Sequence, residues 1–63
     1  MLNYVKTILS KVSFDKKLFE KELKKAISVL LPVEIAELKR WCFEKFGHLY
    51  KSILQQSFVQ FGY

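Results

Sequence analysis

The sequence has very few of the residues that make turns, cross-links and metal sites: two glycines, one proline, one cysteine and one histidine among 63 residues. Sandwiches and barrels need many turns, so the scarcity of glycine and proline argues against both. One cysteine cannot form an internal disulfide, and one cysteine with one histidine cannot supply the four ligands of a closed zinc site. No glycine-rich loop is present to hold phosphate groups. We therefore expect no metal, no cofactor and no small-molecule substrate.

Long apolar runs are also missing. The longest nearly apolar stretch, residues 26–33, is interrupted by Ser28 and Pro32 and is too short to span a bilayer. The opening residues have neither a basic region nor a small-residue cleavage site, so no signal peptide is predicted. A single cysteine fits a reducing compartment. The prediction is a cytoplasmic protein with no membrane partner.

Apolar residues are nonetheless abundant, at 51% of the chain, and 16% of the residues are aromatic. This composition is far from that of disordered proteins. A folded chain of this size exposes roughly 4,200 Å² and buries only about 60% of its unfolded surface. We therefore predict one domain, residues 1–63, with a small margin of stability that a partner would increase.

The apolar residues recur with the spacing of an α-helix in four segments. The predicted fold is all-α, a small bundle or array of four short helices joined by tight turns. The predicted helices cover residues 2–12, 15–30, 32–46 and 48–60. The predicted core is Val5, Ile8, Leu9, Phe19, Leu23, Ile27, Leu30, Ile35, Leu38, Cys42, Phe46, Ile53 and Leu54.

Local signals mark the helix ends. Asp15 can accept hydrogen bonds from the free N–H groups of the second helix. Phe14, just before this cap, is predicted to pack on Phe19 as a hydrophobic staple. Pro32 suits the first position of the third helix. Gly47 is predicted to end that helix in the left-handed conformation that glycine adopts readily.

The third predicted helix has more apolar surface than a single core-facing stripe requires. Trp41 and Phe43 lie on either side of its stripe. Either this helix is central and touches neighbours on both sides, or one of the two aromatic side chains is exposed at an interface, where aromatic residues are enriched. We therefore predict a small, non-enzymatic protein-interaction module in which Trp41 and Phe43 bind another protein or a second copy of the chain.

The charge of the chain suggests an alternative function. The net charge is +5, with ten lysines but only one arginine. The second predicted helix groups Lys17, Lys21 and Lys24 on one side, with Lys25 adjacent. This face is simply solvated, or it contacts an acidic protein or an anionic lipid surface, or it binds nucleic acid without sequence preference. Binding to nucleic acid would have an affinity that falls as salt rises. Nucleic acid is the less favoured partner because reading bases relies mainly on bidentate arginine.

The sequence carries only weak signals for catalysis, for a DNA-reading helix and for membrane binding. Cys42 and His48 are the sole pair of the nucleophile-and-base type, and Cys42 lies within the apolar stripe, where a thiol packs and does not react. Gln55 and Gln56 of the fourth predicted helix suit adenine recognition in a helix-turn-helix, but the turn spacing is generic. A basic amphipathic helix also suits a membrane surface, although the acidic residues and helix caps favour a bundle. We predict no catalytic residues.

Overall fold

Three α-helices make up the fold in a computed structural model that describes residues 1–63. They are α1 (Leu2–Lys11), α2 (Lys16–Val29) and α3 (Pro32–Gln60). The folded chain exposes 4233 Å², which matches the area expected for a compact domain of this size. No helix combines the length and the apolar character needed to cross a membrane.

The start of α2 is capped as predicted. The Asp15 carboxylate accepts hydrogen bonds from the backbone N–H groups of Lys17 at 3.0 Å and Leu18 at 3.1 Å, which satisfies two donors that have no partner within the helix. The predicted packing of Phe14 on Phe19 is wrong, because the Phe14 side chain is 81% exposed. Phe19 turns into the core instead.

The junction between α2 and α3 also lies where the sequence predicts it. Leu30 and Leu31 are both extended, with ψ near 154°, as expected for a break before a proline. Pro32 is the first residue of α3, and the Glu34 carboxylate accepts a hydrogen bond from the Leu31 N–H at 3.0 Å. The two helices are therefore joined by a short, well-capped connection.

The prediction of four short helices joined by tight turns is wrong. The third and fourth predicted segments form one element, α3, of 29 residues. Gly47 lies inside it and does not have the positive φ of a helix end. A glycine costs a helix about 1 kcal/mol but leaves its hydrogen bonds intact. The backbone departs from helical geometry at Tyr50 instead, with φ −126° and ψ 33°.

This departure is a sharp kink. A straight helix of this length would span about 43 Å, whereas the longest dimension of the molecule is 26 Å. The Lys39 ammonium donates a hydrogen bond to the backbone oxygen of Tyr63 at 2.6 Å. The C-terminal arm of α3 (residues 51–60) therefore folds back against its N-terminal arm (residues 32–49).

Contacts with the rest of the fold hold the kink in place. The Tyr50 hydroxyl donates a hydrogen bond to the backbone oxygen of Ser13, in the turn between α1 and α2. The Tyr50 ring packs on Phe19, with ring centroids 4.8 Å apart. The kink thus ties α3 to α2 and to the turn that precedes α2.

One apolar core lies between the three helices. Every residue predicted for it is buried except Ile8, which is partly exposed, and Ala26 and Phe58 are buried as well. Phe19 is at the centre, with its ring centroid 5.0 Å from that of Phe46 in an edge-to-face contact. The helical spacing therefore identified the core correctly even though the helix count was wrong.

Candidate protein-interaction surface

Trp41, a predicted partner-binding residue, is partly buried against the core. Its ring makes an edge contact with Phe46, with centroids 5.6 Å apart. The ammonium groups of Lys6 and Lys45 lie 5.7 Å and 5.6 Å from the ring centroid, within the range of cation–π attraction. Lys6 also forms a 3.4 Å ion pair with Glu37 of α3. Contacts within the chain therefore occupy much of this side chain.

Phe43, the second predicted partner-binding residue, is also partly buried. Its ring lies 6.4 Å from that of Phe58, in the C-terminal arm of α3. Trp41 and Phe43 thus contact different parts of the fold, as expected if the N-terminal arm of α3 is central. Their role in binding a partner stays a prediction.

The four lysines of the alternative prediction lie along α2. Lys17, Lys21 and Lys25 are exposed, whereas Lys24 is partly buried. The Lys24 ammonium pairs with the Glu20 carboxylate, one turn earlier, at 3.5 Å. Three of the four positive charges therefore have no ion-pair partner within the chain.

The cysteine and the histidine do not share a surface. Cys42 is fully buried, whereas His48 is exposed. Burial raises the pKa of the Cys42 thiol to about 12, and the positive charge of Lys6 opposes only part of this rise. No three histidine, cysteine, aspartate or glutamate side chains are grouped so that they could hold a metal ion.

The raised pKa of Cys42 predicts a pH dependence of folding. The thiol ionises near pH 9 in the unfolded chain but near pH 12 in the folded one. The unfolded state therefore holds fewer protons across this interval, and stability falls as pH rises. From about pH 8 to about pH 10 the wild type should lose about 1.4 kcal/mol more than Cys42→Ala. Urea unfolding under reducing conditions measures this, and an identical pH dependence in both proteins would contradict it.

An apolar cleft between α1 and α2 was not predicted from the sequence. Its walls include Met1, Tyr4 and Ile8 on one side and Val29 on the other, and its volume is about 280 Å³. Val5, Leu9 and Ala26 of the core also line it. Met1, Tyr4 and Val29 are 71%, 67% and 60% exposed. These seven residues are called the apolar cleft below.

The cleft exists because the apolar face of α1 is broader than the part that the core covers. Val5 and Leu9 are its buried residues. Met1, Tyr4 and Ile8 follow a second row, spaced by three and four residues, on the side facing α2. This spacing was the one signal in the sequence that pointed to the site.

Two further apolar side chains extend this region. Leu31 and Val33, at the junction between α2 and α3, are both exposed. This junction follows Val29, so it lies at the end of the bundle where α1 begins. Four exposed aliphatic side chains, Met1, Val29, Leu31 and Val33, therefore belong to the segments at this end of the bundle.

No family model, curated protein or solved structure matches the chain. The residues and geometry of the chain itself are therefore the basis for assigning its function.

Proposed function

We propose that the protein is a small, non-enzymatic cytoplasmic module that binds another protein through the apolar cleft. The observation that supports this most directly is the exposure of Met1, Tyr4 and Val29 around one concave site. Single exposed apolar residues are normal on protein surfaces. Several that surround one cleft form a patch of the kind that marks interaction sites.

The chemistry of the cleft suits a protein partner. Methionine and tyrosine are both enriched at protein interfaces. Tyr4 supplies a large apolar ring together with a hydroxyl that needs no burial, as in many residues that dominate binding energy. Trp41 and Phe43 already pack within the fold, so we place the main contact at the cleft and not at these two residues.

Nucleic-acid binding through α2 is the alternative. The absence of ion pairs at Lys17, Lys21 and Lys25 favours it, and the pairing of Lys24 with Glu20 counts against it. Lysine contacts to phosphate would give binding that is strong at about 50 mM salt and weak at about 200 mM. Fluorescence anisotropy with a labelled DNA duplex and a labelled RNA strand tests this, and no binding at the lower salt would rule the alternative out.

The cleft proposal is tested by comparing the proteins captured by the wild type, Tyr4→Ser and Leu49→Ser from an extract of the cells that express the chain. Leu49 is 59% exposed, close to the 67% of Tyr4, but it lies on α3, so it is a matched control. Tyr4→Ser should capture the bound protein in an amount roughly tenfold or more below that captured by the wild type. This is the loss expected from truncating one anchor residue.

Two controls accompany this experiment: capture by Leu49→Ser and the helix content of both variants. Leu49→Ser should capture the same protein as the wild type, and circular dichroism should show that both variants keep their helix content. Capture that does not change with Tyr4→Ser would contradict the proposal.

A further inference from the structure

We infer that the partner in the apolar cleft is an acidic amphipathic helix of a different protein. This inference depends on the proposed function, because it names the partner of the same cleft. It is based on three features: the charges beside the cleft, the net charge of the chain, and the shape of the cleft between two helices.

Three lysines lie in or near the cleft on its two helices, and one of them is part of its lining. Lys25 lines it directly. Lys21 is one turn earlier on α2, and Lys11 is two turns after Tyr4 on the same side of α1. All three lysines are exposed and none takes part in an ion pair. The only carboxylate that lines the cleft is Glu22.

This charge pattern favours a partner with carboxylates beside its apolar residues. A partner that covers the cleft removes water from the nearby ammonium groups, which is unfavourable unless each finds an opposite charge. Acidic side chains on the partner would meet Lys11, Lys21 and Lys25. One basic or hydrogen-bond-donating side chain would meet Glu22, which has no ion-pair partner either. Complementary charges also speed association and disfavour other partners.

The same pattern disfavours a second copy of the chain. The net charge is +5, and a symmetric dimer through this cleft brings identical surfaces together. The lysines on each copy would then lie near those of the other, and like charges in an interface are unfavourable. A heterologous acidic partner avoids this repulsion.

The shape of the cleft favours a helix as the bound element. The chain contains only helices, so there is no strand edge to which an extended peptide could add. Amphipathic helices bind grooves by inserting side chains spaced three or four residues apart. α1 has ten residues, or about 15 Å, so it can contact about three turns of a partner helix.

The test uses two helical peptides of about 14 residues with the same leucine positions, spaced three and four apart. The remaining surface positions are glutamate in one peptide and lysine in the other. Each is titrated to about 1 mM into isotopically labelled protein, observed by NMR at about 50 mM salt. The glutamate peptide should shift the signals of Tyr4, Ile8 and Val29 and bind at least roughly tenfold more tightly than the lysine peptide.

Two charge-reversal variants distinguish binding that depends on the lysine in the cleft from attraction that depends only on the net charge of the protein. Lys25→Glu should lower the affinity for the glutamate peptide by roughly fivefold to tenfold. Lys51→Glu makes the same change in net charge on the C-terminal arm of α3, where the lysine is also exposed, and should leave the affinity nearly unchanged. Equal effects of the two variants would show that net charge alone attracts the peptide, which overturns the inference.

Other occupants would give different results. Equal binding of both peptides, or shifts outside the cleft, overturns the acidic-helix inference. A concentration-dependent dimer with the cleft signals shifted would identify a second copy. Tighter binding to vesicles of phosphatidylserine and phosphatidylcholine than to the glutamate peptide would identify a lipid surface. Loss of capture with Tyr4→Ser alongside a failed peptide titration would retain the proposed function and reject only this occupant.

Discussion

Phe19→Ala is expected to abolish most of the stability of the fold. The Phe19 ring is fully buried and contacts Phe46 at 5.0 Å and Tyr50 at 4.8 Å between ring centroids. Truncating such a side chain removes apolar burial and leaves a cavity, at a typical cost of 3–5 kcal/mol, so we expect about 4 kcal/mol here. The aromatic contacts that link α2 to Phe46 before the kink and to Tyr50 at the kink would be lost together.

This loss is large because the domain is small. At 0.05–0.15 kcal/mol per residue, a chain of this length has a total stability of about 3 to 9 kcal/mol. The variant should therefore be partly or wholly unfolded without denaturant. Far-UV circular dichroism and urea unfolding followed by Trp41 fluorescence measure the effect. A cooperative transition close to that of the wild type would show that Phe19 is not central to the core.

Phe14→Ala is the matched control for this substitution. It removes the same atoms five residues earlier, from a side chain that is 81% exposed. Its effect on the free energy of unfolding should be within about 0.5 kcal/mol of zero. A large effect from Phe14→Ala would indicate that the two rings do pack together and that the predicted staple forms in solution.

Some features that depend on neighbouring residues could be predicted from the sequence, although the packing of Phe14 on Phe19 could not. Asp15 caps α2 because its carboxylate reaches N–H groups only two and three residues away. Pro32 fixes the start of α3 through its ring and its effect on Leu31. The buried stripe also followed from spacing, because helical periodicity depends on the chain's own geometry.

The path of α3 could not be predicted in this way. Gly47 was expected to end a helix, but nothing local forces it out of helical geometry. The kink at Tyr50 depends on a hydrogen bond to Ser13 and on packing against Phe19, both of which lie more than 30 residues earlier. Such contacts exist only once the helices have assembled, so the periodic pattern alone cannot place them.

The site was missed for a related reason. The spacing of Met1, Tyr4 and Ile8 reveals a second apolar row, but spacing does not show whether another helix covers that row. The same limit applied to Trp41 and Phe43, whose surplus apolar surface is largely used within the fold. Coverage depends on where the folded-back arm of α3 lies, because that arm provides the partner of Phe43.

Phe58→Ala is the second substitution with a large expected effect, and it tests the folded-back arm directly. Phe58 is fully buried although it lies near the end of α3. Its ring is 6.4 Å from that of Phe43, a distance that two positions 15 residues apart on a straight helix could not have. The expected loss is about 3–5 kcal/mol, from the lost burial and the cavity left behind.

The loss of stability should begin in the C-terminal arm, because the substituted residue lies in that arm. Amide hydrogen exchange should accelerate first at residues 51–60 and later in α1 and α2, as expected for local unfolding. Phe61→Ala is the control, since it removes the same ring from a partly exposed position just after the helix. It should change the unfolding free energy by less than about 1 kcal/mol. Equal effects of the two variants, or unchanged exchange at residues 51–60, would mean that the arm does not pack on the core, and Phe43 would then be free to contact a partner.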